Sequence, residues 1–95
     1  MNLRQVREGD IIQVIETKIP KRIFDKFKSI NFDIGRTFIV DKIVKERFIK
    51  LLFYDKKDLK ENINTKSGFL IISKYYFDKI EVKILKNDEE IEERK

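Results

Sequence analysis

Cysteine and histidine are both missing from this 95-residue chain, and together the two absences remove most of the familiar enzyme chemistry. Without cysteine there is no disulfide, no thiolate nucleophile and no cysteine-based zinc site, and nothing points to an oxidising compartment. Without histidine, the side chain that most often moves protons near neutral pH is gone. Ser29, Ser67 and Ser73 have only lysine or carboxylate types to act as a base, and none lies in a Gly-x-Ser-x-Gly elbow. The three glycines are isolated, so no Gly-rich phosphate loop can form. Asp55 with Asp58, and Asp88 with Glu89 and Glu90, are the acidic clusters; they lack EF-hand spacing and read as solvated carboxylates. We expect a protein that is not an enzyme, with no metal and no cofactor.

Long apolar runs are missing too. No stretch approaches the roughly 18 residues of a membrane span, and Met1 to Gly9 carries Arg4, Arg7 and Glu8 instead of an apolar signal-peptide core. The expectation is a cytoplasmic chain with no membrane association. Alanine is absent and proline occurs once, whereas Lys and Ile each occur sixteen times. That is the bias AT-rich codons produce, and it points to an AT-rich bacterium, or a phage or plasmid living in one.

What is present is enough for one small core. Charged and hydrophobic residues each make up 41% of the chain, with eight Phe and three Tyr, a balance that argues against disorder throughout. A chain this short buries only roughly 60 to 65% of its unfolded surface, which favours binding on an outer face over a deep enclosed site. Residues 1–86 read as one domain. Residues 87–95 read as an acidic, flexible tail whose Asp88 to Glu93 carries one apolar residue, Ile91.

Strand signals recur along the domain. Ile11 to Ile15, entered through Gly9-Asp10, predicts a strand from about Asp10 to Glu16. Thr37 to Val44 and Phe48 to Phe53, separated by Lys45-Glu46-Arg47, predict an antiparallel hairpin. Gly68 to Ile72 is a short apolar run, and from Asp78 to Leu85 the apolar Ile80, Val82 and Ile84 alternate with Lys79, Glu81 and Lys83. Between these last two, Ser73 to Phe77 suits one turn of 3₁₀ helix. In the long first connection, Ile19, Ile23, Phe27 and Ile30 fall on one helical face, which predicts a helix from about Lys21 to Ser29; an irregular loop pinned by the same side chains is the alternative, and both bury Phe24 or Phe27. The polar stretch Asp55 to Lys66 reads as a long exposed loop.

The fold class that follows is mainly β: a small five-stranded barrel with a short helix in the first connection and a 3₁₀ turn before the last strand. This order of elements resembles the SH3-like small barrels. Gly9-Asp10-Ile11-Ile12-Gln13-Val14 resembles the lead-in to their first strand, and Ile34-Gly35-Arg36-Thr37-Phe38-Ile39-Val40 resembles the Gly-x-x-apolar-x-Val step of KOW and Tudor-like members. Gly68-Phe69-Leu70-Ile71, followed by Tyr75-Tyr76-Phe77-Asp78-Lys79-Ile80-Glu81, is similar to the closing strands of uncharacterised phage and mobile-element proteins of this shape. The resemblance implies a fold and hardly any function, since small barrels serve many unrelated tasks, and it carries over no ligand.

Charge is the most informative functional signal. Residues 18–60 hold thirteen Lys and Arg against six Asp and Glu, whereas residues 87–95 hold two against five. Lys21, Arg22, Lys26 and Lys28, continued by Arg36, Lys42, Lys45 and Arg47, form a candidate positive patch for nucleic-acid phosphates, DNA or RNA. The arginines weigh most, because a guanidinium meets phosphate through paired hydrogen bonds. Tyr75 and Tyr76 are candidates to stack on bases, or else to pack on the last strand and cover its edge. Phe24, Phe27, Phe38, Phe48, Phe53, Phe69 and Phe77 are assigned to the core. Lysine-rich faces also arise from solubility alone, so a second expectation stands beside the first: a phage or mobile-element protein that binds and modulates a host protein through a sheet edge, the 18–32 segment or the acidic tail.

Overall fold

In the first connection a helix forms where the apolar spacing asks for one. A computed structural model describes residues 1–54 and 68–85, and in it α1 runs from Lys21 to Lys28. Pro20 opens it, its carbonyl accepting the Ile23 and Phe24 amides at 2.9 and 2.8 Å, and a proline at this point loses nothing because the first helical turn has no partner for its N–H. The helix stops at Ser29, whose hydroxyl donates to the Lys26 carbonyl at 2.6 Å. Asn31 then takes φ 72°, and the Phe32 amide donates to the Phe27 carbonyl at 3.0 Å, a left-handed stop that asparagine tolerates well.

Five antiparallel strands make one sheet: β1 Ile11–Thr17, β2 Thr37–Val44, β3 Phe48–Phe53, β4 Phe69–Ser73 and β5 Ile80–Leu85. Two 3₁₀ helices, η1 at Leu3–Gln5 and η2 at Lys74–Lys79, complete the set. The spatial order is β4-β3-β2-β1-β5, so each strand lies beside its sequence neighbour except β5, which returns to pair with β1. The Lys45-Glu46-Arg47 link closes the β2–β3 hairpin with Glu46 at φ 61° and the Arg47 amide bonded to the Val44 carbonyl at 2.9 Å, a three-residue connection that needs one left-handed position.

The sheet curls without closing. Four interstrand steps at about 4.8 Å would set the edges of a flat sheet ~19 Å apart. Here six residues of 3₁₀ helix, rising about 2 Å each, carry the chain from the end of β4 to the start of β5. The edges are thus drawn to within about 12 Å at that end, and register shifts near Glu16 in β1 and Asp41 in β2 supply the bends.

One face of this curl holds the core. Ile12, Val14, Phe38, Val40, Ile49, Leu51, Leu70, Ile72, Ile80 and Val82 are buried from the strands, with Leu3, Val6, Ile19, Phe32 and Phe77 filling the ends. Aromatic rings run in series from the surface into it: exposed Tyr75 to Tyr76 at 4.9 Å, Tyr76 to Phe27 at 5.1 Å, Phe27 to Phe32 at 5.5 Å, Phe32 to Phe38 at 5.6 Å and Phe38 to Phe53 at 5.4 Å. Among the described residues, no helix is long and apolar enough to cross a membrane.

Three core assignments change. Phe69 is 53% exposed and Phe48 only half-buried on the outer face, because the inward positions on their strands belong to Leu70 and Ile72, and to Ile49 and Leu51. Ile30 is half exposed, since the helix has ended before it and the 3.6-residue period no longer applies; Phe32 takes the inward position in its place. Phe38 and Phe77 are buried, and Phe24, Phe27 and Phe53 pack half-buried against the core. The expected Asp55 to Lys66 loop and the 87–95 tail lie outside the described residues.

Candidate functional site

The 3₁₀ helix η2 is the piece of chain that organises the surface cations. At its start the Lys74 amide donates to the Arg47 carbonyl at 2.9 Å, which ties it to the tip of the β2–β3 hairpin. At its end the Lys79 carbonyl accepts the Lys18 amide at 2.7 Å, which ties it to the approach to α1. Ser73 caps the turn by accepting the Tyr75 amide on its hydroxyl at 3.2 Å, a local bond serine makes readily. Phe77 is buried and Tyr76 packs half-buried against the core, which leaves Tyr75 as the outward ring of the turn. The Tyr75 ring is 67% exposed, with the Lys79 ammonium 5.3 Å from its centroid and Tyr76 edge-on beside it.

The expected residues divide into a group the fold unites and a pair it leaves aside. Lys45 and Arg47 at the hairpin tip lie beside Lys74 at one end of η2; α1, which carries Lys21, Arg22, Lys26 and Lys28 on its exposed arc, is joined to η2 by the Lys18–Lys79 backbone bond and by the Phe27–Tyr76 ring contact. On α1 the apolar Ile23, Phe24 and Phe27 face the core and the four cations occupy the exposed arc. Arg22, Lys26, Lys45 and Arg47 have no carboxylate partner among the described residues, whereas Lys21 pairs with Asp25 at 3.3 Å and Lys28 lies 5.8 Å from the Phe24 ring centroid.

Arg36 and Lys42 are placed elsewhere. Arg36 precedes β2 while Arg47 follows it, a separation of about 25 Å or more along an extended strand at roughly 3.3 Å per residue. There Arg36 covers the Phe53 ring at 5.7 Å. Lys42 sits on the outer face of the sheet, directly opposite Lys50. Sequence reasoning passed over Lys74 and Lys79, although they bracket the tyrosines in the chain. The fold makes them part of the track because η2 bridges two sheet edges.

Counter-charges are few here. Glu46 at the hairpin tip lies 3.8 Å from Lys74 and 3.9 Å from Arg4, and Asp78 points back to Arg4 at 2.7 Å. Beside them an open cleft of about 480 Å³ is lined by Glu46, Arg47, Phe48, Ile71, Ser73 and Lys74. Among the described residues there is no group of three or more acidic side chains that could hold a metal ion. No family of known proteins, no curated protein and no solved structure matches this chain.

Proposed function

We propose that this chain is a non-catalytic nucleic-acid-binding module whose contact surface is the track from the hairpin tip across η2 to α1. The observation that carries the reading is Tyr75, 67% exposed on a turn hydrogen-bonded at one end to Arg47 and at the other to Lys18. A largely exposed ring, with Lys79 beside it, lies between two groups of cations in which Arg22, Lys26, Lys45 and Arg47 have no carboxylate partner among the described residues, and this suits a nucleic-acid strand: phosphates meet the guanidinium and ammonium groups, and a base lies on the ring. The track is about 12 Å of η2 plus about 12 Å of α1, enough for several nucleotides. Because the contacts are to phosphate, sequence preference is weak.

The test is binding of labelled DNA and RNA, followed by fluorescence anisotropy through a salt series. Five phosphate contacts on a single strand give a log–log slope of about −3.5, or a loss on the order of 100-fold between 50 and 200 mM salt. A flat salt dependence, or no binding at the lowest salt, refutes the reading.

A further inference from the structure

The outer face of β3 and β4 carries aromatic rings interleaved with cations, although this part of the sequence reads as core. On β4, Phe69 and Ile71 point outward at 53% and 54% exposure. On β3, Phe48, Lys50 and Leu52 point the same way, with Lys50 opposite Ile71, Leu52 opposite Phe69 and Phe48 opposite Ser73. The Lys50 ammonium stands 4.6 Å from the Phe69 ring centroid while bonding Asp41 at 3.5 Å, and Lys42 lies beside it across the β2–β3 ladder. Two lysines directly opposite one another in a sheet repel; Asp41 offsets one of the two charges, which leaves the face with a net positive charge for an anion.

This face continues the η2 track. Arg47 and Lys74 share a backbone hydrogen bond, and the next residues along each chain are Phe48 and Tyr75. The cleft lined by Arg47, Phe48, Ile71 and Lys74 opens at that junction. From Phe48 to Phe69 is four residues along the ladder and one strand across, about 14 Å, so the two rings can take separate bases.

We infer that the nucleic acid bound is single-stranded, with its backbone on Lys74, Arg47 and Lys50 and its bases laid on Tyr75, Phe48 and Phe69. The inference rests on the proposed function and narrows its ligand. A duplex keeps its bases stacked inside and offers nothing to these rings, whereas every unpaired base has a face to stack. A second copy of this chain docked face to face would oppose Lys42 and Lys50 to like charges, and an aliphatic partner would have no use for the ring of Phe69 beyond its apolar area.

The experiment compares a labelled oligo-dT and a duplex of equal length against wild type, Phe69→Leu and Phe69→Ala through one salt series, with sedimentation of each protein alone. Phe69→Leu keeps most of the apolar area and removes the ring. The expected result is tighter binding of oligo-dT than of duplex by wild type, a loss on the order of 5- to 150-fold for oligo-dT in both variants, and an unchanged salt slope. Ultraviolet crosslinking of oligo-dT to the peptide containing Phe69 checks the contact without any substitution. Salt-dependent binding that favours duplex, or that Phe69→Leu leaves intact with no crosslink at Phe69, overturns this inference and leaves the basic track standing. A wild-type dimer dissociated by Phe69→Ala shows the face to be covered by a second copy, and also overturns it. Absence of binding to either probe removes both readings.

Discussion

Replacing Phe32 by alanine tests the packing that holds α1, and with it half of the cationic track, against the sheet. Phe32 is fully enclosed between Phe27 and Phe38, with ring centroids at 5.5 and 5.6 Å. Removing such a ring costs about 3–5 kcal/mol, the lost transfer energy together with a cavity the neighbours fill only in part. A chain of this length has roughly 5–14 kcal/mol in total at about 0.05–0.15 kcal/mol per residue, so about a fifth or more of the stability goes with one side chain. Urea unfolding followed by circular dichroism reads it: at a slope of about 1 kcal/mol per M, the midpoint falls by about 3–5 M with the slope unchanged. The internal control is Phe69→Ala, the same chemical change at a site 53% exposed, expected within about 1 kcal/mol of wild type. Equal losses at the two sites, or none at Phe32, would refute the division of these phenylalanines between the two faces.

Three further outcomes follow from the geometry. Arg22→Gln and Lys26→Gln should each reduce the salt slope of single-strand binding by about 0.7, while Arg36→Gln, at the far end of β2, leaves it unchanged; a change in slope from Arg36 alone would misplace the track. Gly68→Ala forces a side chain onto φ +117° with the Phe53 ring 3.4 Å away, and urea midpoints should report a loss of roughly 1–3 kcal/mol. Glu46→Gln removes the carboxylate near Lys74 and Arg4, all of them exposed; stability should move by less than about 0.5 kcal/mol, and affinity for single strands at low salt should rise. A fall in affinity would mean that Glu46 orients Lys74 instead of neutralising it.

The elements themselves were legible because their signals are local. β2, β3 and the alternation of β5 follow from β-branched runs and a period of two, and α1 from Ile19, Ile23 and Phe27. Which face each residue takes was harder. Phe69-Leu70-Ile71-Ile72 is apolar at every position, so nothing local says that Leu70 and Ile72 go in and Phe69 and Ile71 out; the ladder to β3 decides it. The left-handed Asn31 hid the inward turn of Phe32 in the same way. For the candidate surface, the α1 cations and both tyrosines could be read from the chain. What ties η2 to the hairpin tip and to the approach to α1 is two hydrogen bonds, Lys74 to Arg47 and Lys18 to Lys79, that join residues far apart in sequence.

The pairing of β1 with β5 sets Ile11 against Leu85, and this has a cost in time. The β2–β3 hairpin can close as soon as its few residues exist and β1 can add to β2, but the second edge of β1 waits for β5, from Ile80 opposite Thr17 to Leu85 opposite Ile11, and long loops must lose their entropy before such contacts form. At synthesis rates of about 5–20 residues per second, the nascent chain spends several seconds with Ile12 and Val14 covered on one side only. In that interval the half-built sheet is a sticky edge. The time until the last strand arrives is therefore the interval in which this edge is open to pairing with another chain.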